Sequence, residues 1–213
     1  TSINSSNTKN QYGVFYSPQY IYIVGDFIKS LASIEIISGL GDALHYLLLD
    51  INQTAGYVKD LLEDIIRNGT SQFARNHEKI VLLTSTAHKI KKYYIELDEF
   101  DQAKRKVLNL GHSFGHALEA FLEYQVPHGI GVLFGLILAI DLSNFLYERE
   151  NSKEYKDKLS SIRKNIYKLL DIYSPIPPDM VFSSIKNNNK KYLEFLSRDK
   201  KNTELSAYKL VLF

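Results

Sequence analysis

The sequence predicts a mainly α protein, with a few short strands kept to its periphery. Three observations predict it. Apolar residues recur at helical spacing through most of the 213 residues. Glycines and prolines sit where those runs would stop. Stretches dense in β-branched and aromatic residues lie near the two ends.

The elements follow in order. The start, TSINSSNTKNQYG, is polar. PQYIYIVGDF (18–27) reads as a strand after a proline. IEIISGLGDALHYLLLD (34–50) is apolar over a wide helical face, with Gly39 and Gly41 interrupting it. GYVKDLLEDIIRNG (56–69) has helical spacing and a glycine stop, and residues 71–95 read as one long amphipathic helix. DEFDQAKRKVLNLG (98–111) is a link. Residues 113–123 and 129–149 are helices joined by the turn VPHG. KEYKDKLSSIRKNIYKLLDIY (153–173) is strongly amphipathic and stops before Pro175. PDMVFSSIKNN and KKYLEFLSRD are short helices, KNNNKK (186–191) is a solvated loop, and LSAYKLVLF (205–213) is a closing strand. No internal repeat is present.

Composition narrows the function. The chain is 45% hydrophobic, enough for one good core or two small ones. A net charge of +2, with no basic stripe, argues against a nucleic-acid partner. With no cysteine, disulfides and thiolate metal sites are excluded and an intracellular protein is permitted. The polar start does not read as a signal peptide. The most apolar run, Ile130 to Ile140, is shorter than the ~20 residues a bilayer span needs, and Asp141 closes it. It reads as a buried helix, so no membrane partner is expected.

Three of the six histidines, His112, His116 and His128, fall within 17 residues. His112 and His116, four apart, project from one helix face. His128 follows a turn that folds the chain back towards them. Imidazole is the commonest protein ligand for zinc, and a catalytic zinc takes three protein ligands and keeps one position open. Capping or packing roles explain the same spacing equally well, so spacing alone leaves both readings standing.

The segment LNLGHSFGHALE (108–119) resembles the LNxGHTxGHAxE signature of the 3-dehydroquinate synthases, within the sugar phosphate cyclases. VPHGIGVLFGLILA resembles the HGEAVAxGMxxA segment that follows it. TKNQYGVFYSPQYIYI, GLGDALHYLLL, HKIKKYYIELDEFDQAKRKVLNLGH and RDKKNTELSAYKLVLF are similar to further family segments in the same order. The resemblance implies the helical C-terminal domain of the dehydroquinate synthase-like fold. Residues 31–213 would be the metal- and substrate-binding domain, and residues 1–30 a linker or the tail of a nucleotide-binding domain. That NAD-binding domain is not in this sequence: no glycine-rich phosphate loop follows a strand, and Gly39-Leu40-Gly41 sits inside a helical pattern.

The resemblance also assigns residues. Zinc, or cobalt, would be held by His112, His128 and Asp42, the last in place of the family's Glu. An Asp is still a hard oxygen ligand but one methylene shorter, so either the backbone comes closer or a water intervenes. His116 falls on a histidine that helps proton transfer near the phosphate. Lys91 and Arg105 fall on residues gripping the substrate carboxylate and its neighbouring hydroxyl, where a planar guanidinium suits a carboxylate. Asn109, Lys9, Asn10 and Lys201 fall on phosphate-side contacts. Without the family, these lysines read as solvated charges and Asp42 as an acid on a helix face. Two positions depart from the pattern: His45 stands where the family has Lys, and Ile130 where it has Glu. His45 keeps its place among the catalytic residues: three residues after Asp42 on the same helix face, it would donate a hydrogen bond there, with full charge only below about pH 6.5.

The implied activity is a cytoplasmic carbon–oxygen lyase of the shikimate pathway, acting as a homodimer. It would cyclise 3-deoxy-D-arabino-heptulosonate 7-phosphate to 3-dehydroquinate with loss of phosphate, regenerating its NAD each turn. A separate segment would supply the NAD half. The departures leave two alternatives: another sugar phosphate cyclase, or a non-catalytic relative serving as a binding module.

Overall fold

A computed structural model describes residues 2–5, 8–13, 19–20, 22–99, 104–147 and 152–197, the side chains of residues 2–11 excepted. Strands β1 (Ser2–Ser5) and β2 (Thr8–Gly13) form an antiparallel hairpin pairing Ser2 with Gly13 and Ser5 with Thr8. A 3-10 turn covers Gly25–Ser30. Then come α1 (Ser33–Leu48), α2 (Ile51–Asn68), α3 (Thr70–Arg75) and α4 (His77–Leu97). A second 3-10 turn (Lys104–Asn109) leads to α5 (His112–Phe121) and α6 (His128–Leu146). The described chain closes with α7 (Lys153–Tyr173), α8 (Pro178–Asn187) and α9 (Asn189–Ser197).

The mainly α class holds, with four corrections. The strand expected over 18–27 is absent: residues 19–20 and 22–24 are irregular, and the 3-10 turn follows. Tyr20, Tyr22 and Phe27 are exposed there, and no strand among the described residues pairs with this stretch. The hairpin instead uses the polar start. The helix expected over 71–95 is two, because Asn76 caps a new one by accepting a hydrogen bond from the Lys79 N–H (3.0 Å). The loop expected over 186–191 shrinks to Asn188, between α8 and α9. Finally, α1 runs unbroken through Gly39 and Gly41. The expected closing strand lies outside the described residues.

α6 is the central element. Residues 129–137 are all buried, and α1, α5 and α7 pack around them. By length and composition α6 could cross a membrane; here most of it is enclosed by its neighbours. Its one acid, Asp141, meets the Arg163 guanidinium of α7 through two hydrogen bonds of 2.5 and 2.7 Å. α2 packs on α7 and α1, and α4 on α1. α9 is pinned to α5 where the buried Tyr192 hydroxyl donates to the Phe114 carbonyl (3.0 Å).

The approach of α6 to its neighbours is unusually close because side chains are missing there. A Cβ on Gly129 would lie 1.8 Å from the Ser38 carbonyl oxygen of α1, and one on Gly41 2.2 Å from the Gly129 carbonyl. On the other flank, a Cβ on Gly135 would lie 2.0 Å from the Gly111 carbonyl oxygen. The Ser38 hydroxyl accepts a hydrogen bond from the Gly129 N–H (3.0 Å), satisfying a donor in the first turn of α6.

Gly129→Ala therefore forces α1 and α6 apart. It is expected to cost at least the ~1–3 kcal/mol of core overpacking. Gly56, exposed within α2 with open space around it, is the control. Gly56→Ala is expected to stabilise by about 0.5–1 kcal/mol. Urea unfolding of the two variants checks both signs.

Candidate metal centre

Three elements bring the site together. Asp42 lies in the middle of α1, His112 opens α5 and His128 opens α6. Gly111, just before His112, takes a left-handed conformation (φ 76°) that turns the chain into α5. Pro127, extended, precedes α6 and needs no N–H there. The glycine contacts then bring all three helices together where these residues sit.

Each imidazole is held at its Nδ1, by a different acceptor. Nδ1 of His128 lies 2.7 Å from a carboxylate oxygen of Glu119, and Nδ1 of His112 lies 3.3 Å from the Leu110 carbonyl. Each Nδ1–H donates to its oxygen, which turns each Nε2 towards Asp42. Nε2 of His128 is 3.4 Å and Nε2 of His112 is 3.9 Å from the same Asp42 oxygen. One donor atom from each of Asp42, His112 and His128 lies within 4.8 Å of the other two. Two imidazole nitrogens and a carboxylate oxygen suit zinc by donor chemistry. A second group within the same 4.8 Å limit joins His116, Glu119 and His128. His116 stacks on His128 with ring centroids 5.3 Å apart.

The charges follow from this packing. The Asp42 carboxylate first, and the Glu119 carboxylate second, push the His128 imidazolium up to about 9. Burial would raise the Asp42 carboxyl, but the bond to His128 and the histidine charges outweigh it and hold it below the usual carboxylate range. Burial lowers His112 to about 4. It lowers His45 to about 3, helped by the nearby His112, whose ring lies 4.4 Å away. His45 is 1% exposed, and neither ring nitrogen finds a hydrogen-bond partner among the described residues.

Other expected residues are placed less closely. Lys91 lines a cavity of about 200 Å³ with Asp42, Tyr46 and His88, and its ammonium sits 5.2 Å from the centre of the Tyr46 ring. Arg105 meets the end of α4: its backbone N–H donates to Asp98 (3.1 Å) and its guanidinium to the Glu99 carbonyl (2.8 Å). Asn109 ends the 3-10 turn before Leu110. Lys9 and Asn10 lie on β2, and Lys201 lies outside the described residues. Ile130 is fully buried in the core. Glu119 was not among the expected site residues, although it ends the histidine motif. The signal was its spacing: three after His116 and seven after His112, on one helix face.

The chain matches the 3-dehydroquinate synthase C-terminal family over residues 52–202. It belongs to that family. It is 32% identical over 203 residues to the bifunctional 3-dehydroquinate synthase/phosphatase of Fusobacterium nucleatum, covering 95% of this chain and 28% of that one. It is 31% identical over 206 residues to the 3-dehydroquinate synthase of Syntrophotalea carbinolica, covering 94% and 50%. It is 30% identical over 186 residues to that of Pyrococcus abyssi, covering 86% and 50%. The chain thus spans about half the length of these 3-dehydroquinate synthases, and less of the bifunctional one.

The buried histidines make a pH prediction for the chelator-treated chain. Unfolded histidine titrates near 6.5. Below that pH the unfolded chain takes up protons that folded His45 and His112 refuse, so stability falls as pH drops from 6.5 towards about 4 and 3. The loss approaches 1.4 kcal/mol per pH unit for each group, as an upper estimate of about that size. His128 runs the other way: its contribution is complete below 6.5 and is lost as pH rises through about 9. His45→Met removes one acid-sensitive group. Urea midpoints at neutral and acid pH should draw closer together in the variant than in the wild type.

Proposed function

We propose that this chain forms the metal- and substrate-binding half of a 3-dehydroquinate synthase. That enzyme is a carbon–oxygen lyase closing 3-deoxy-D-arabino-heptulosonate 7-phosphate to 3-dehydroquinate with loss of phosphate. The observation that carries the reading is the convergence of two Nδ1-anchored histidines on the Asp42 carboxylate, in a chain of that family. Asp42, His112 and His128 would hold zinc, with three protein ligands leaving a position for substrate. Bound there, zinc supplies Lewis-acid polarisation of a substrate oxygen. NAD supplies the reversible hydride acceptor; no residue of this chain is assigned to it.

The chain's own groups do the rest. His116, stacked on His128, moves the proton on the phosphate side. Lys91, in the cavity that also exposes Asp42, holds the substrate carboxylate or its neighbouring hydroxyl. Arg105 reaches the substrate from the turn before His112, and Asn109, Lys9, Asn10 and Lys201 hold the phosphate. Lys91 and Arg105 favour a substrate with a carboxylate over a neutral sugar phosphate. His45, buried and uncharged, cannot act there as a cation; it walls the site behind His112.

Elemental analysis of the purified chain checks the site. About one zinc per chain is expected from the ligand set. It should be lost in His112→Ala and Asp42→Ala, with helical content unchanged. With NAD and an NAD-binding domain supplied alongside the chain, phosphate release from the heptulosonate phosphate should disappear in the same variants. Zinc retained in both variants contradicts the proposed ligands.

A further inference from the structure

Glu119 is a buried acid, 3% exposed, on the inner face of α5. Carboxylates are seldom buried without a partner, and Glu119 meets the His128 ring, 2.7 Å away at Nδ1. Its place is built into the packing. Gly131 of α6 faces it, and a Cβ there would come within 3.0 Å of Glu119 Cγ and 3.2 Å of its Oε1. The missing side chain at 131 leaves the slot that Glu119 fills. Ile130, beside it in sequence, is apolar and cannot accept the His128 proton. The other expected histidine ligand is held differently, by the neutral Leu110 carbonyl at the longer distance of 3.3 Å.

We propose that Glu119 is a positioning residue for the metal centre. It holds His128 by its Nδ1–H, fixes the tautomer that leaves Nε2 free to ligate, and adds a second carboxylate charge beside a divalent cation. A carboxylate behind a ligating histidine orients the ring and raises its basicity as a ligand. The inference rests on the zinc reading above and goes beyond it: it assigns a role to a residue outside the ligand set.

Glu119→Gln keeps the shape and removes the charge. Zinc affinity is measured for the wild type, Glu119→Gln and His112→Ala by competition with a chromophoric chelator, with circular dichroism following the fold. Glu119→Gln should bind zinc about 10–100-fold more weakly than the wild type. The Nδ1–H proton signal of His128 in the zinc form should move upfield, which a purely structural role would not cause. Unchanged affinity in Glu119→Gln, with binding lost in His112→Ala, overturns the role of Glu119 and leaves the zinc site standing. Zinc binding that survives in His112→Ala overturns the zinc reading itself. If Glu119→Gln does not fold, the nitrogen-15 spectrum of the wild-type zinc form decides. His128 protonated at Nδ1 and metallated at Nε2 supports the proposal, and the reverse arrangement overturns it.

Discussion

The close backbone approach of α6 to α1 and α5 is the constraint on which the rest depends. Helices normally pack with their axes 8–10 Å apart, at a distance set by the side chains between them. Along α6 that layer is absent at Gly129 and Gly135, so the Ser38 and Gly111 carbonyls sit where a Cβ would be. The consequence is chemical as well as structural. Asp42, His112 and His128 come from three helices, and their short side chains meet only if those helices nearly touch. Asp is one methylene shorter than the Glu of the family pattern. The Gly41–Gly129 contact supplies the closeness such a ligand needs, one residue away from Asp42 and one from His128.

The same seam sets the electrostatics. It buries His112 and His45, keeping both rings neutral, and leaves His128 between two carboxylates. A metal-free centre therefore holds two negative groups around one imidazolium. In the proposed zinc site, displacing that proton by a divalent cation would exchange one positive charge for two. Metal binding and proton release are coupled in such a site. The Ser38 hydroxyl, the Leu110 carbonyl and the Glu119 carboxylate need not touch substrate to matter. Each fixes a backbone or a ring whose position the centre requires.

Much of this was legible in the sequence, for identifiable reasons. The histidines at 112, 116 and 128 were readable because a helix and a turn translate spacing into proximity. The boundaries of α7 were readable because its amphipathic pattern runs unbroken to a proline. Asp42 was not readable from spacing, being 70 residues from His112; only the family resemblance singled it out. Glu119 was overlooked because its burial and its bond to His128 depend on the slot at Gly131, a contact between helices. PQYIYIVGDF was misread because strand propensity describes a residue that packs against a neighbouring strand, and none is paired with residues 19–20 or 22–24. The break at Asn76 was a local signal that the long apolar pattern around it hid: a capping side chain three residues before a free N–H.

The glycine seam brings Asp42, His112 and His128 together, and we propose that they hold zinc. X-ray absorption at the zinc edge of the loaded wild-type chain tests it most directly. The account predicts two imidazole nitrogens at about 2.0–2.1 Å and carboxylate or water oxygen at about 2.0–2.2 Å completing a four-coordinate shell. A shell of oxygens alone, without the outer-ring scattering of imidazole, would contradict it.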